Sequence, residues 1–400
     1  MALLLPAACA GERGSGETAV ARDSAGVQVV VSEAPAWREG EGWRLSAEPV
    51  LRIGELDGAP EYQFHQVVGA VRRSDGGIVV GDGGLRALRF YDAAGRFARS
   101  SGRKGGGPGE FEELGSVHLL AGDSLLVWDW RQRRVSRFRA DGAFHRSLSL
   151  PAGRDAVHPV PQLVGRLADG SLLVGVGHSF GPGAVAEGVR QDSTDYLRYS
   201  PAAVLLDTVA AVPSGESFVK TGYGRVGFTT APLLFGRNAV HGMVGDRVVV
   251  GSNRAYELVV YSPEGVPERV IRRRQEPRPV TGADFAALAA ASLAEMDREW
   301  RERMEVVYAA MPRPATMPFY SALQVDGAGN LWVRDFSVPR EATSTWTVFD
   351  GTGRMLGGVA MPERFRPTDI GEDYVLGVRR DELGVQYVEM FALDKGRRRR

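Results

Sequence analysis

Six side chains that could bind a metal or transfer a proton stand near the starts of predicted strand units. They are His65, Glu112, His158, Asn238, Tyr320 and Asp369. Imidazoles and carboxylates are common metal ligands and general acids or bases. Glu112 follows His65 by 47 residues, but the same spacing places Pro159 and Pro318 in equivalent positions. Two interpretations of these six residues remain. They form a shared ligand site, or they line a solvent-filled channel opening of mixed polarity.

Aspartates end three short apolar runs, at Asp82, Asp129 and Asp335. We expect these carboxylates to accept hydrogen bonds from the backbone N–H groups of the following turns. The alternative is calcium binding, although no loop has the spaced ligands of an EF-hand. The glycine-rich run 105–109 lacks the Gly-Lys-Ser/Thr ending of a phosphate-binding loop, so we predict a turn there. No cofactor is predicted; a divalent metal such as calcium is the alternative.

The composition restricts the classes of protein to consider. The chain has 400 residues, with 49 basic and 49 acidic side chains, which argues against a nucleic-acid binder that works by phosphate neutralisation. A single cysteine cannot form an internal disulfide or a multi-cysteine zinc site. The chain has 51 glycines, well above the usual share of about 7%. Such an excess is expected of a fold with many tight turns.

A short motif recurs along the chain, consisting of an aromatic residue followed four positions later by glycine or alanine. It occurs at Tyr91 and Gly95, Phe138 and Gly142, Tyr199 and Ala203, Tyr261 and Gly265, and Phe349 and Gly353. This pattern is typical of a strand end, a tight turn and a returning strand. An apolar strand with its own turn precedes each motif. The pattern therefore predicts that each unit contains four antiparallel strands.

A sixth unit near the C-terminus lacks its outer strand. Near the N-terminus, Gly54, Gly58 and Pro60 match Gly102, Gly106 and Pro108, each 48 residues later. The later stretch leaves an outer strand, so we expect residues 43–54 to supply the missing strand of the sixth unit. Radial four-stranded sheets leave only short edges exposed. The sequence therefore predicts an all-β fold, a six-bladed β-propeller over residues 27–396.

The repeats resemble the six-bladed propellers of the NHL-repeat and TolB-like kind. The resemblance is strongest over residues 107–142, with a glycine-rich entry to Phe111, a strand ending at Asp129 and the turn from Phe138 to Gly142. It covers the first two units well and the fourth and fifth partly. It implies the blade architecture but no particular activity, since propellers include enzymes, binding modules and scaffolds.

Two segments interrupt the repeats. Residues 281–311 carry a helical stripe of apolar side chains after the N-cap candidate Thr281, and their length favours a bend or two helices. This segment is expected to be a lid over the channel, a partner-docking helix or a cover for apolar sheet edges. Residues 178–197 are polar and glycine-rich, which favours a long hairpin loop.

The two ends give expectations about location. Cys9 follows Ala7 and Ala8, as in the lipid-attachment signal of bacterial lipoproteins, although Pro6 and the short apolar stretch depart from that pattern. We expect lipidation at Cys9, with residues 1–26 forming the signal remnant and a flexible tether. The alternative is an incidental cysteine in a disordered end. Residues 397–400 form a basic tail that is expected to be solvated.

The sequence predicts an exported, monomeric envelope protein that recognises a protein, peptide or glycan on one face. It is expected to touch the membrane through a lipid anchor alone and not to bind nucleic acid. Catalytic residues are not assigned, because no nucleophile elbow or His-Glu-x-x-His motif is present. The alternative function is a metal-dependent lactonase-like hydrolase or a lyase with its site at the channel mouth.

Overall fold

The computed structural model describes residues 18–151, 161–178, 186–222, 227–338 and 343–396. Most of the regular structure in these ranges is β-strand, arranged in six sheets that we number 1 to 6 in chain order. Four short strands precede sheet 1: β1 Ala19–Ser24, β2 Val27–Ser32, β3 Arg44–Leu45 and β4 Leu51–Ile53.

Each of the first three sheets consists of antiparallel strands that follow one another along the chain. The strands of sheet 1 are β5 Val67–Arg72, β6 Ile78–Asp82, β7 Ala87–Tyr91 and β8 Phe97–Ser101. Those of sheet 2 are β9 Leu114–Leu119, β10 Leu125–Asp129, β11 Arg134–Phe138 and β12 Phe144–Ser149. Those of sheet 3 are β13 Gln162–Arg166, β14 Leu172–His178, β15 Gly188–Tyr199, β16 Leu205–Thr221 and β17 Phe228–Pro232.

The last three sheets also have antiparallel cores, and sheets 4 and 6 are extended by strands from the N-terminal segment. Sheet 4 contains β18 Val240–Val244, β19 Arg247–Gly251, β20 Glu257–Tyr261 and β21 Pro267–Arg273. Sheet 5 contains β22 Tyr320–Val325, β23 Leu331–Asp335, β24 Ser344–Phe349 and β25 Met355–Met361. Sheet 6 contains β26 Phe365–Ile370, β27 Tyr374–Arg380 and β28 Gln386–Asp394.

The first strands of neighbouring sheets contact one another in cyclic order. Contacts run from β5 through β9, β13, β18 and β22 to β26, and β26 in turn contacts β5. The second strands are the most buried, and every residue of β6 and β10 is buried. This burial explains their nearly continuous apolar runs, because both faces of each sheet pack against a neighbouring sheet.

The N-terminal segment follows the outer edges of sheets 4, 5 and 6. Strand β2 pairs in parallel with β21, and the N–H groups of Ala36 and Trp37 donate to the carbonyls of Met355 and Leu356 on β25. Strands β3 and β4 then pair with β28. Residues 43–54 therefore supply the outer strand that the sixth unit lacks. The expected flexible tether ends earlier than predicted, because Ala19–Ser24 is already the paired strand β1.

Two helices, α1 Gly282–Ala294 and α2 Arg298–Ala310, connect sheets 4 and 5. Thr281 caps α1, and its capping box is complete because the Asp284 carboxylate accepts the Thr281 N–H at 3.1 Å. The Asp297 side chain caps α2 by accepting the N–H of Trp300, so the predicted helical segment is divided in two.

In the predicted loop at 178–197, most of the described residues are strand instead, and residues 179–185 lie outside the described part of the chain. The residues from Gly188 onward form β15, which pairs with both β14 and β16. Strand β16 continues to Thr221 and thereby extends sheet 3 well beyond its neighbours. A polar sequence remains compatible with this long hairpin because most β15 side chains are not fully buried.

Candidate functional site

Three of the predicted site residues occupy equivalent places in the fold. His65, Glu112 and Asn238 each lie two residues before a first strand, in sheets 1, 2 and 4. His65 and Asn238 are exposed, and Glu112 is half-buried. These residues therefore lie at one end of the first strands, which we call the channel mouth.

Tyr320 begins β22 at the mouth end of that first strand but is buried there, and Asp369 lies away from the mouth, contrary to the prediction. Tyr320 is completely buried between sheets 4 and 5, where its hydroxyl donates to the Glu257 carbonyl at 2.7 Å. Burial raises the pKa of the Tyr320 phenol. Asp369 lies near the far end of β26 and accepts the Arg72 N–H at 2.8 Å. The position of Asp369 is wrong because the repeat spacing placed it before the strand, whereas it is the fifth residue of β26.

His158 and Cys9, the remaining predicted residues, lie outside the described part of the chain. Nothing in the structure bears on a ligand-binding role for His158 or on lipidation of Cys9.

The strand-end aspartates hold turns in two of the three predicted cases. Asp82 accepts the N–H of Leu85 at 3.0 Å, and Asp129 accepts those of Gln132 at 2.9 Å and Glu112 at 2.7 Å. Asp335 instead accepts hydrogen bonds from three side chains: Tyr256 at 2.8 Å, Arg273 at 3.0 Å and Thr347 at 3.1 Å. Across the described residues, no three His, Cys, Asp or Glu side chains are grouped as a metal site would require.

A pocket of about 430 Å³ opens at the channel mouth. Its walls come from the first strands of sheets 1 to 3 and from the end of β10: Val68, Leu114, Gly115, Ser116, Trp128, Trp130, Pro161, Gln162 and Leu163. The Trp128 indole N–H donates to the Pro161 carbonyl at 2.9 Å, which fixes that ring. A Cβ atom at Gly115 would lie 3.0 Å from Trp128 and 3.3 Å from Trp130. Glycine therefore lets both indoles lie close to β9.

His118 on β9 contacts the pocket-lining Ser116, and a second first-strand histidine, His241 on β18, lies near His118. The His118 Nε2 lies 2.9 Å from the Ser116 hydroxyl, and the His241 Nδ1 lies 3.1 Å from the Tyr196 hydroxyl. Desolvation lowers the pKa of each histidine to about 4, and for His241 the nearby His118 contributes in the same direction. Both imidazoles are therefore neutral at pH 7 and can donate or accept hydrogen bonds.

The two helices lie at the same end of the sheets as the pocket. Their apolar side chains, including Met304 and Val307, pack with Phe218 and Ala231 at the extended end of sheet 3. On the other side, Glu295 after α1 lies 3.6 Å from Arg380 at the end of β27 in sheet 6. This helical hairpin therefore reaches from sheet 3 to sheet 6. Among the described residues, no helix is both long and apolar enough to cross a membrane.

Several residues of this site were not recognised in the sequence. Trp130, Ser116, His118 and His241 have no motif of their own, and strand alternation alone does not tell which face of a first strand meets the channel. The one available signal was the tryptophan pair, because Trp130 follows the strand-end Asp129 directly, where side chains project at the mouth.

No family model and no curated protein matches this sequence. Among solved structures, a member of the DUF4221 family from Bacteroides vulgatus aligns over 89% of this chain and 99% of its own, with 9% identity and a TM-score of 0.50. A protein described as exported from Bacteroides fragilis aligns over 92% and 100%, with 14% identity and a TM-score of 0.48. Virginiamycin B lyase from Staphylococcus aureus aligns over 88% and 99%, with 7% identity and a TM-score of 0.40.

At such low identity these similarities concern the fold and say nothing about activity. The DUF4221 protein is the one of the three whose TM-score reaches 0.5. With the several four-stranded antiparallel sheets of this chain, that likeness shows a β-propeller fold.

Proposed function

We propose that the six sheets are the six blades of one closed propeller of the NHL-repeat and TolB-like kind. Two observations support closure. The first strands contact one another in a complete cycle, and the N-terminal strands β3 and β4 pair with the C-terminal strand β28. The helical hairpin is then an insertion between blades 4 and 5.

We propose further that the chain is a binding or scaffold protein that recognises a group of a protein, peptide or glycan at the channel mouth. The observation that carries this proposal is the pocket of about 430 Å³, which has the size of small-ligand pockets and is lined by two indoles. Indoles provide broad, rigid contact surfaces, and Ser116 and Gln162 supply hydrogen-bonding groups.

The test compares the wild type with Trp130→Ala on peptide and glycan arrays. Trp300→Ala is the matched control, because Trp300 lies half-exposed on α2 and does not line the pocket. We expect the ligands retained by the wild type to be lost by Trp130→Ala and kept by Trp300→Ala. Retention by both variants would contradict binding in this pocket.

A second candidate function is catalysis as a lyase or a lactonase-like hydrolase. One observation favours it: the His178 Nε2 lies 3.0 Å from a carboxylate oxygen of Asp195, and His178 remains partly exposed. Such a pair can orient a histidine that acts as a general base. Turnover of a lactone or ester panel that is abolished by His178→Ala would favour this function over binding alone.

For location we propose the bacterial cell envelope, with a lipid on Cys9. The support is the small residues before the single cysteine of the sequence. Metabolic labelling with a fatty acid tests this: label on the wild type and none on Cys9→Ser is expected, and an unlabelled wild type would contradict it.

A further inference from the structure

One arginine lies directly beside the pocket wall. Arg366 is the second residue of β26, and its Nη2 donates to the Val67 carbonyl at 2.8 Å while its Nη1 donates to the Val68 carbonyl at 3.5 Å. Val68 lines the pocket, so the guanidinium is held against the strand that forms this wall. Carbonyl bonds of this kind fix the side chain and leave other N–H groups of the guanidinium for a ligand.

The charge of Arg366 is not balanced by a neighbouring acid. Within the described residues, no carboxylate forms an ion pair with Arg366, whereas Arg86, Arg254 and Arg380 near the mouth each have such a partner. The Arg366 side chain is exposed overall, and partial desolvation, with a smaller contribution from the positive charge of Arg380, lowers the pKa of the guanidinium. An arginine remains charged under these conditions. The guanidinium therefore places a positive charge beside the pocket.

The nearby carboxylates are not ion-paired with Arg366. Three of them pair with other arginines: Glu113 with Arg86 at 3.0 Å, Glu216 with Arg254 at 2.8 Å and Glu295 with Arg380 at 3.6 Å. Glu112 also lies at the mouth, before the first strand of sheet 2, whereas Arg366 is on the first strand of sheet 6. Asp369, on the same strand as Arg366, lies toward the opposite end of β26. His118 and His241 are neutral at pH 7.

We propose that the pocket binds a small organic carboxylate, with its anionic group on Arg366 and its flat or apolar body against Trp130. A guanidinium offers a planar pair of N–H donors that matches the two oxygens of a carboxylate. The indole then contacts the rest of the ligand. This inference rests on the proposed binding function and adds the charge and class of the ligand.

The test uses benzoate and its neutral analogue benzamide, measured by saturation-transfer NMR on the full chain. We expect the wild type to bind benzoate more tightly than benzamide. Arg366→Gln should weaken the affinity for benzoate by roughly tenfold to a hundredfold, as expected for a lost charged hydrogen bond. The affinity for benzamide should stay unchanged. Arg139→Gln removes the same charge from an exposed turn of sheet 2 and should bind both ligands like the wild type.

The outcomes separate this inference from the proposed function. Equal binding of benzoate and benzamide, or full benzoate binding by Arg366→Gln, overturns the carboxylate site while Trp130-dependent binding still supports the pocket. Binding of neither compound overturns the carboxylate site, and the array experiment then decides on the pocket separately. If Arg366→Gln does not fold, Arg366→Lys is used instead, because it keeps the charge without the paired donors. If Arg366→Lys binds benzoate with the same affinity as the wild type, the inference is overturned.

Discussion

The Asp369 carboxylate accepts the main-chain N–H of Arg72 at 2.8 Å, across 297 residues of sequence. This hydrogen bond joins the first strand of sheet 6 to the first strand of sheet 1. The same oxygen accepts the Tyr374 hydroxyl at 2.9 Å. It therefore lies where the last sheet meets the first.

Replacing Asp369 should separate hydrogen bonding from charge. Asp369→Ala removes two hydrogen bonds and should lower the free energy of unfolding by about 1–3 kcal/mol at pH 7. Burial raises the pKa of Asp369 above its unfolded value. The folded protein therefore holds this proton more tightly than the unfolded chain, and the contribution of Asp369 to the free energy of unfolding falls as pH rises from the unfolded pKa through the folded one. Asp369→Asn keeps an acceptor without the charge and should be at least as stable as the wild type at pH 7. Urea unfolding measures both, and an Asp369→Ala variant as stable as Asp369→Asn would contradict the role of the hydrogen bonds.

The N-terminal segment should be tested at its contact with sheet 5. A Cβ atom at Gly357 would lie 2.3 Å from the Trp37 ring, so Gly357→Ala must displace the indole and should cost about 1–3 kcal/mol. Gly351→Ala is the control, because no atom lies within 4 Å of its Cβ position. Thermal unfolding measures the difference. The combination with Trp37→Ala should cost less than the sum of the single changes, and strict additivity would contradict the contact.

Removal of residues 43–54 tests the closure of sheet 6 by β3 and β4. Ile53 is buried in this segment, and Arg52 on β4 lies 3.4 Å from the buried Glu389 on β28. The deletion should abolish the cooperative thermal transition, because it exposes one edge of β28 and leaves that buried glutamate without one of its arginines. A calorimetric transition like that of the wild type would show that these strands do not hold the ring together.

Acid should destabilise the fold through two half-buried histidines, His118 and His241. Their pKa is about 4 in the folded protein against 6.5 for an ordinary histidine, so the unfolded chain binds more protons between these values. The free energy of unfolding should therefore fall as pH drops from 6.5 toward 4. The rings keep some accessible surface, so we expect a loss of about 1–2 kcal/mol for each histidine. His118→Gln and His241→Gln should each reduce this pH dependence in urea titrations, whereas the exposed His145→Gln should not.

Neighbouring valines on α2 test how the helical hairpin is attached. Val307 is completely buried against sheet 3, whereas Val306 is 40% exposed. Val307→Ala should cost about 1–3 kcal/mol and speed hydrogen exchange across residues 282–310, because it leaves a cavity at the attachment site. Val306→Ala should change the exchange rates little. Equal effects of the two changes would mean that the hairpin is not held by this cluster.

The fold was more predictable than the site, for physical reasons. Turn chemistry at residues such as Gly95 and Gly142 is local, and both glycines have the positive φ that the repeat implied, 77° and 80°. The pairing of residues 43–54 with the last sheet followed from a repeat offset. The channel residues depend on which strand face points inward and on contacts between sheets, as for Arg366 and Val68, and no local pattern carries that information.

The most direct test of the binding site is a crystal structure of the protein with benzoate. The carboxylate is predicted to lie within hydrogen-bonding distance of the Arg366 guanidinium, with the ring against Trp130 in the pocket formed by sheets 1 to 3. Benzoate bound elsewhere, or in the pocket with its carboxylate turned away from Arg366, would contradict this account.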